Sequence, residues 1–253
     1  MLRPRIIPCL LIHNKGLVKT INFSHPKYVG DPINAVRIFN EKEVDELMVV
    51  DIDATVERRE PDYGLIEHLA AECRMPLCYG GGVKDCRQIG KIIGLGVEKV
   101  ALSSVIIERP EIIAEAGESV GSQSIVVVLD VKKNADDSYQ VYTHNGRKAT
   151  GQCPIEMAKR VETLGAGEIV INSIDKDGQM KGYDLDLIRR IKNEVNVPLT
   201  CLGGAGSLQD IGHLVHEYKI IGAAAGSLFV FKGIYRAVLI NYPNQIEKGA
   251  LVR

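Results

Sequence analysis

The chain has 253 residues with a formal charge of −1, and its 31 basic and 32 acidic side chains balance, so neither a polybasic nucleic-acid surface nor an acidic arm is expected. The longest nearly apolar run, residues 220–231, falls well short of the roughly 18 residues of a membrane span, and no basic-then-apolar segment opens the chain. A cytoplasmic protein with no membrane or nucleic-acid partner is expected, folded as one domain over residues 1–253.

Short β-branched runs alternate with longer amphipathic ones along the whole chain. RIIPCLLI (5–12) reads as a strand and DPINAVRIFNEKEV (31–44) as a helix. Next come DELMVVDID (45–53), PDYGLIEHLAAECR (61–74), PLCYGGG (76–82), CRQIGKIIGLG (86–96), KVALSSVI (99–106) and EIIAEAGESVG (111–121). SIVVVLDV (124–131), IEMAKRVETLG (155–165), EIVINSI (168–174), LDLIRRIKNEV (185–195), PLTCLGG (198–204), LQDIGHLVHEY (208–218) and IIGAAAGS (220–227) continue the pattern to a closing helical stretch. Apolar strands joined by helices imply a parallel sheet buried on both faces, and eight of them predict closure into a (βα)8 TIM barrel.

The chain also repeats itself. Residues 45–53 lie over 167–175 at a shift of 122, and 76–82 over 198–204 at the same shift. A two-fold half-barrel repeat follows, with halves of about 1–120 and 121–253. The first strand, leaving on Leu11, then lies over the fifth, leaving on Asp130, so the repeat sets an aspartate opposite a leucine.

Glycines at the carboxyl ends of such strands let backbone N–H groups approach an anion. One corner combines Gly81 and Gly82 with Ser103 and Ser104; the other combines Gly203 and Gly204 with Gly226 and Ser227, lined by Asp177 and Gly178. A single Gly-Gly pair can serve only a tight turn, but two such corners favour a small molecule phosphorylated at both ends. No CxxC pair exists among the six cysteines, which are expected as free thiols. His213 and His216 have i, i+3 spacing but no third ligand, so no metal and no cofactor are expected.

A doubled half-barrel with paired phosphate corners resembles the cyclase subunit of imidazole glycerol phosphate synthase over essentially the whole chain. RIIPCL, Val18-Lys19, GDP at 30–32, GGG at 80–82, GSQ at 121–123, SIDKDG at 173–178 and GGAG at 203–206 carry the likeness. The resemblance implies ammonia taken from a separate glutaminase subunit, passed through the barrel, and used to split and cyclise a bisphosphorylated ribulosyl nucleotide. It sets the general acid/base on Asp130, a mobile-loop lysine on Lys19, and phosphate contacts on Gly82, Ser104, Asp177, Gly178, Gly204 and Ser227. The family's second catalytic aspartate falls on Leu11. Asp53 stands in place of a threonine, Ser103 of an asparagine, Asn172 of a threonine and Leu202 of a serine, with Asp51 or Asp53 the nearest compensating acids.

Arg5, Glu46, Lys99 and Glu168 each open an apolar strand, and the resemblance makes them a salt-bridged ring where ammonia enters. The stretches LLIHNKGLVKT, VDIDA and AAGSLFVFKGIYRAVLINYP resemble a paralogous branch found with bacterial surface-polysaccharide genes. There the barrel and a glutaminase resemble accessory subunits of an N-acetyl sugar amidotransferase. Three readings stand at this point: ammonia delivery for sugar amidination, the histidine-pathway cyclase, and a related sugar-phosphate isomerase. Roles for His13, His144 and the 23–30 loop, read as a flap or a plain surface loop, stay open.

Overall fold

A computed structural model describes residues 3–251. Eight parallel strands form the expected barrel: β1 (Arg5–His13), β2 (Leu47–Asp51), β3 (Leu77–Gly80), β4 (Lys99–Leu102), β5 (Ile125–Lys133), β6 (Glu168–Ser173), β7 (Leu199–Leu202) and β8 (Gly222–Ala225). Each pairs with the next, and β8 returns to β1 with Arg5 beside Gly222 and Pro8 beside Ala225, so the sheet closes.

The helices that cover it are α1 (Pro32–Glu41), α2 (Tyr63–Glu72), α3 (Cys86–Gly94), α4 (Ile112–Val120), α5 (Pro154–Thr163), α6 (Leu185–Lys192), α7 (Leu208–Tyr218) and α8 (Gln245–Leu251). Their starts are written in the sequence. In the Gly-Asp-Pro motif, the Asp31 side chain accepts the Asn34 N–H and Pro32 opens α1 with its ring already at a helical φ. Asp62, Asp85 and Asp184 cap α2, α3 and α6 in the same way, and Ser207 with Asp210 forms a reciprocal capping box on α7.

Strand side chains alternate between two buried layers. Outward residues such as Leu10, Val49, Tyr79, Val127 and Ile171 pack under the helices, while Ile7, Cys9, Met48, Cys78, Ala101, Val126, Val170 and Ala224 fill the barrel interior. Leu11, Val50, Val128 and Leu202 cap that interior column at its carboxyl end. The register sets Leu11 beside Val50 and Asp130 beside Asn172, pairs that stand at equivalent places in the two halves of the chain.

Three elements depart from the expected pattern. Residues 23–30 are not a plain surface loop: Ser24–Gly30 is a strand paired antiparallel with Gly16–Ile21, itself paired to β1. β5 likewise runs past Asp130 and folds back as Tyr139–Thr143, which pairs with Lys148–Ala149. The closing stretch is not one helix: a turn at Ser227–Val230 and a small hairpin, Phe231–Lys232 with Ala237–Val238, precede α8. All six cysteines are free, with Cys9, Cys78 and Cys201 buried in or beside the strands. Among the described residues, no helix is long and apolar enough to cross a membrane.

Candidate functional site

A cavity of about 700 Å³ opens at the carboxyl ends of the strands and brings together Leu11, Lys19, Asp51, Gly82, Ser103, Ser104, Asp130, Asn172, Asp177, Gly178, Gly204, Gly226 and Ser227. Its two corners are built alike. After β3, Gly81 holds φ 118° with its Cα pressed on the Asp51 carbonyl, where an added Cβ would come within 2.3 Å. After β7, Gly203 holds φ 94° with the Ser173 carbonyl 2.7 Å from the corresponding position. Only glycine fits either place, because the conformation is left-handed and a backbone atom already occupies the Cβ volume. Helical turns follow at Val105–Glu108 and Ser227–Val230, so each corner joins a glycine loop to the start of a short helix.

Asp130 lines the cavity together with two other aspartates, Asp51 and Asp177. Asp130 accepts a hydrogen bond from Asn172 Nδ2 at 2.8 Å, and burial pushes its carboxyl up to about 7 despite that bond. Around it, Leu11, Val50, Val128 and Leu202 present apolar atoms to the cavity floor. The arrangement supplies one proton-transfer group poised near neutrality.

Asp51 lines the same cavity, with its carboxylate accepting N–H bonds from Asp53 and Ala54 at 2.9 and 3.0 Å. Burial raises its pKa, and Arg59 at 3.7 Å opposes the rise. Asp53, expected in the pocket, does not line it. The turn that Asp51 closes rotates Asp53 away, and its carboxylate is held by His13 Nδ1 at 2.7 Å and the Asn14 N–H at 2.8 Å. His13 thereby belongs to the base of the β1 hairpin.

Lys19 is 5% exposed and donates from Nζ to the Cys9 carbonyl, directly against Gly226, where an added Cβ would sit 2.8 Å from the ammonium. Burial lowers its pKa. Asp177 lines the cavity with one carboxylate oxygen engaged by the hairpin above it. It accepts from Thr20 Oγ1 at 2.6 Å and the Phe23 N–H at 3.1 Å, tying the β1 hairpin down over the second corner. The β5 excursion arrives from the other side: Asn145 donates to the Ile52 carbonyl at 2.7 Å, and Phe23 lies against Gly146. Phe23, His144 and Asn145 thus roof the cavity, and no periodic pattern marks them because all three sit in turns between strands.

At the opposite end, the four strand-opening charges form a closed cycle. Arg5 pairs with Glu46 and, at 2.8 Å, with Glu168; Lys99 bridges the same two carboxylates at 2.8 and 2.9 Å. Although burial alone would favour neutral forms, the mutual pairing raises the pKa values of Arg5 and Lys99 and lowers that of Glu168, so these three stay charged. Ring, apolar column and cavity share one axis through the barrel.

Fold and site together define a (βα)8 barrel with a glycine-cornered pocket at the carboxyl ends of its strands. The family model described as "Histidine biosynthesis protein" matches residues 5–235. A Vibrio vulnificus protein named "Putative imidazole glycerol phosphate synthase subunit hisF3" is 60% identical over 98% of this chain and 96% of its own. A Leptospira borgpetersenii protein named "Putative imidazole glycerol phosphate synthase subunit HisF" is 56% identical over 99% of both, and the "Imidazole glycerol phosphate synthase subunit HisF" of Alkaliphilus metalliredigens is 38% identical over 92% of this chain and 93% of its own. The chain belongs to the histidine biosynthesis protein family and stands with its HisF-like, cyclase-type members.

Proposed function

We propose that this chain is the barrel subunit of a glutamine-dependent amidotransferase complex, receiving ammonia from a glutaminase and delivering it at the carboxyl end to an acceptor other than the histidine-pathway nucleotide. The observation that carries this reading is the pairing of an intact Arg5–Glu46–Lys99–Glu168 ring with a pocket whose midline holds Asp130 opposite Leu11. The ring end is the docking face of the glutaminase. Neutral ammonia then crosses an interior of apolar and thiol side chains, which offers a protonated ammonium no partner. At the far end, Leu11 supplies no proton-transfer group. A two-carboxylate reaction loses roughly 100- to 10,000-fold without one of its partners.

By resemblance to the surface-polysaccharide branch, the acceptor is an N-acetyl sugar whose acetamido group becomes acetamidino on a separate amidotransferase. The two phosphate corners then bind a phosphorylated small molecule as a regulator of delivery. The test is reconstitution: barrel, glutaminase and amidotransferase together should form the amidino product from glutamine, and omitting the barrel should abolish transfer from glutamine but not from added ammonium. Glutamine-dependent transfer at full rate without the barrel contradicts the reading.

A second reading, the histidine-pathway cyclase, is favoured by the Asp130 carboxyl at about 7 and by the preserved corner geometry, with Asp51 as the second acid. Rescue of a histidine auxotroph lacking its cyclase discriminates the two.

A further inference from the structure

The two corners are alike in backbone but not in charge. Beside the second corner the cavity carries one cation, buried Lys19, and one anion, Asp177. Around the first, the cavity wall carries Arg58, Lys84, Arg109 and Lys148 against two acids, Glu108 and Asp51. Two of those four are answered by acids: Arg109 pairs with Glu115, and Lys148 lies 4.0 Å from Glu108. Arg58 and Lys84 have no acidic partner within 4.0 Å among the described residues, since nearby Glu57 and Asp51 both face Arg59.

These two cations stand at one place. Lys84 Nζ donates to the Arg58 carbonyl at 3.3 Å, and the loop that carries Arg58 rests on Gly82, whose Cβ position lies 3.0 Å from the Arg59 carbonyl. Arg58 itself holds φ 56°, a left-handed conformation uncommon for a non-glycine residue. The polar groups are therefore layered in depth: at the floor, the Gly81 backbone with Thr55, Ser103 and Ser104, the Gly82 N–H donating to Thr55 Oγ1; at the rim, two exposed cations without acidic partners.

We propose that the first corner binds a diphosphate, its inner phosphoryl group on the floor donors and its outer one between Arg58 and Lys84, while the second corner takes a phosphate monoester. This rests on the two-corner reading and narrows the ligand to a molecule with a diphosphate at one end. A single phosphate, with a charge of about −1.5 to −2, is already matched by the floor and one cation. A second phosphoryl group linked through a shared oxygen extends outward to the rim, where charge-assisted bonds from Arg and Lys contribute most.

The experiment is calorimetric titration of the full chain with inorganic phosphate and with inorganic pyrophosphate, in metal-free buffer at fixed ionic strength. Ser227→Asp supplies a background in which a carboxylate fills the second corner; if that variant fails to fold, the same titrations in the native chain are fitted to two sites. Pyrophosphate should bind roughly 30-fold tighter than phosphate, as two charge-assisted contacts allow. Arg58→Asn, which tolerates the left-handed backbone, combined with Lys84→Gln should weaken pyrophosphate far more than phosphate and cut that preference below about threefold. Phosphate binding with no pyrophosphate preference, or a preference that survives both substitutions, overturns the diphosphate site and leaves the corners standing. Failure of both anions to bind overturns the two-corner reading along with it.

Discussion

Asp130 and Leu11 occupy matching places in the two halves, and their chemistry sets the site's pH response. Because burial raises the Asp130 carboxyl to about 7, the folded protein holds a proton there that the unfolded chain releases near its ordinary value of 3.8. Its contribution to stability is thus fullest at acid pH and lost as pH rises from about 4 to about 7, an effect on the order of 4 kcal/mol. Asp130→Asn should flatten this decline and raise Tm at pH 8, read from thermal unfolding between pH 5 and 8; an unchanged slope contradicts the assignment. Leu11→Asp restores the second carboxylate, and if the rest of the site is competent for cyclisation, ammonium-dependent turnover of the ribulosyl nucleotide should rise about 100-fold or more. The repeat made the Asp130–Leu11 contrast legible in the sequence. The resemblance misled at Asp53, because the turn that Asp51 closes by accepting two backbone N–H bonds carries the Asp53 carboxylate out of the cavity to His13 and Asn14.

Among the elements, the β1 hairpin governs access to the second corner. Its outer strand, Ser24–Gly30, is exposed along most of its length and carries a proline, so no apolar alternation announces it. Its tip is tied to the barrel by the Asp177 carboxylate, which accepts from Thr20 and Phe23, alongside the Asn22 N–H on the Asp177 carbonyl and Gln179 on Asn22. Asp177→Ala removes both acceptors and should loosen the hairpin by about 1–3 kcal/mol, raising amide hydrogen exchange over residues 16–30 roughly tenfold or more while the barrel strands stay protected. Exchange unchanged in that segment shows that packing rather than Asp177 holds the hairpin. The barrel strands and most helix starts were legible because burial on both faces and Asp or Ser caps leave periodic traces. The roofing residues Phe23, His144 and Asn145 leave none, since they reach the cavity through loop paths that no local pattern encodes.

At the scale of the whole molecule, one axis links ring, apolar interior and pocket. The ring is a closed cycle of alternating charges in which each carboxylate serves two cations, so removing one leaves Arg5 and Lys99 partly unpaired. Glu168→Gln should cost about 3 kcal/mol of stability. In the assembled complex it should also impair glutamine-driven transfer far more than transfer from added ammonium. Equal loss from both ammonia sources shows that the ring serves the fold rather than the passage of ammonia.

The central claim, a conduit kept and a cyclisation lost, meets its most direct test in the isolated barrel. Turnover of the bisphosphorylated ribulosyl nucleotide is measured at high ammonium concentration, where no glutaminase is needed. Delivery to another acceptor requires that no imidazole glycerol phosphate form above background, whether or not the nucleotide binds. Turnover on the order of 1 per second or faster, the ordinary range for enzymes, contradicts it and makes the chain a cyclase that works without a carboxylate at position 11.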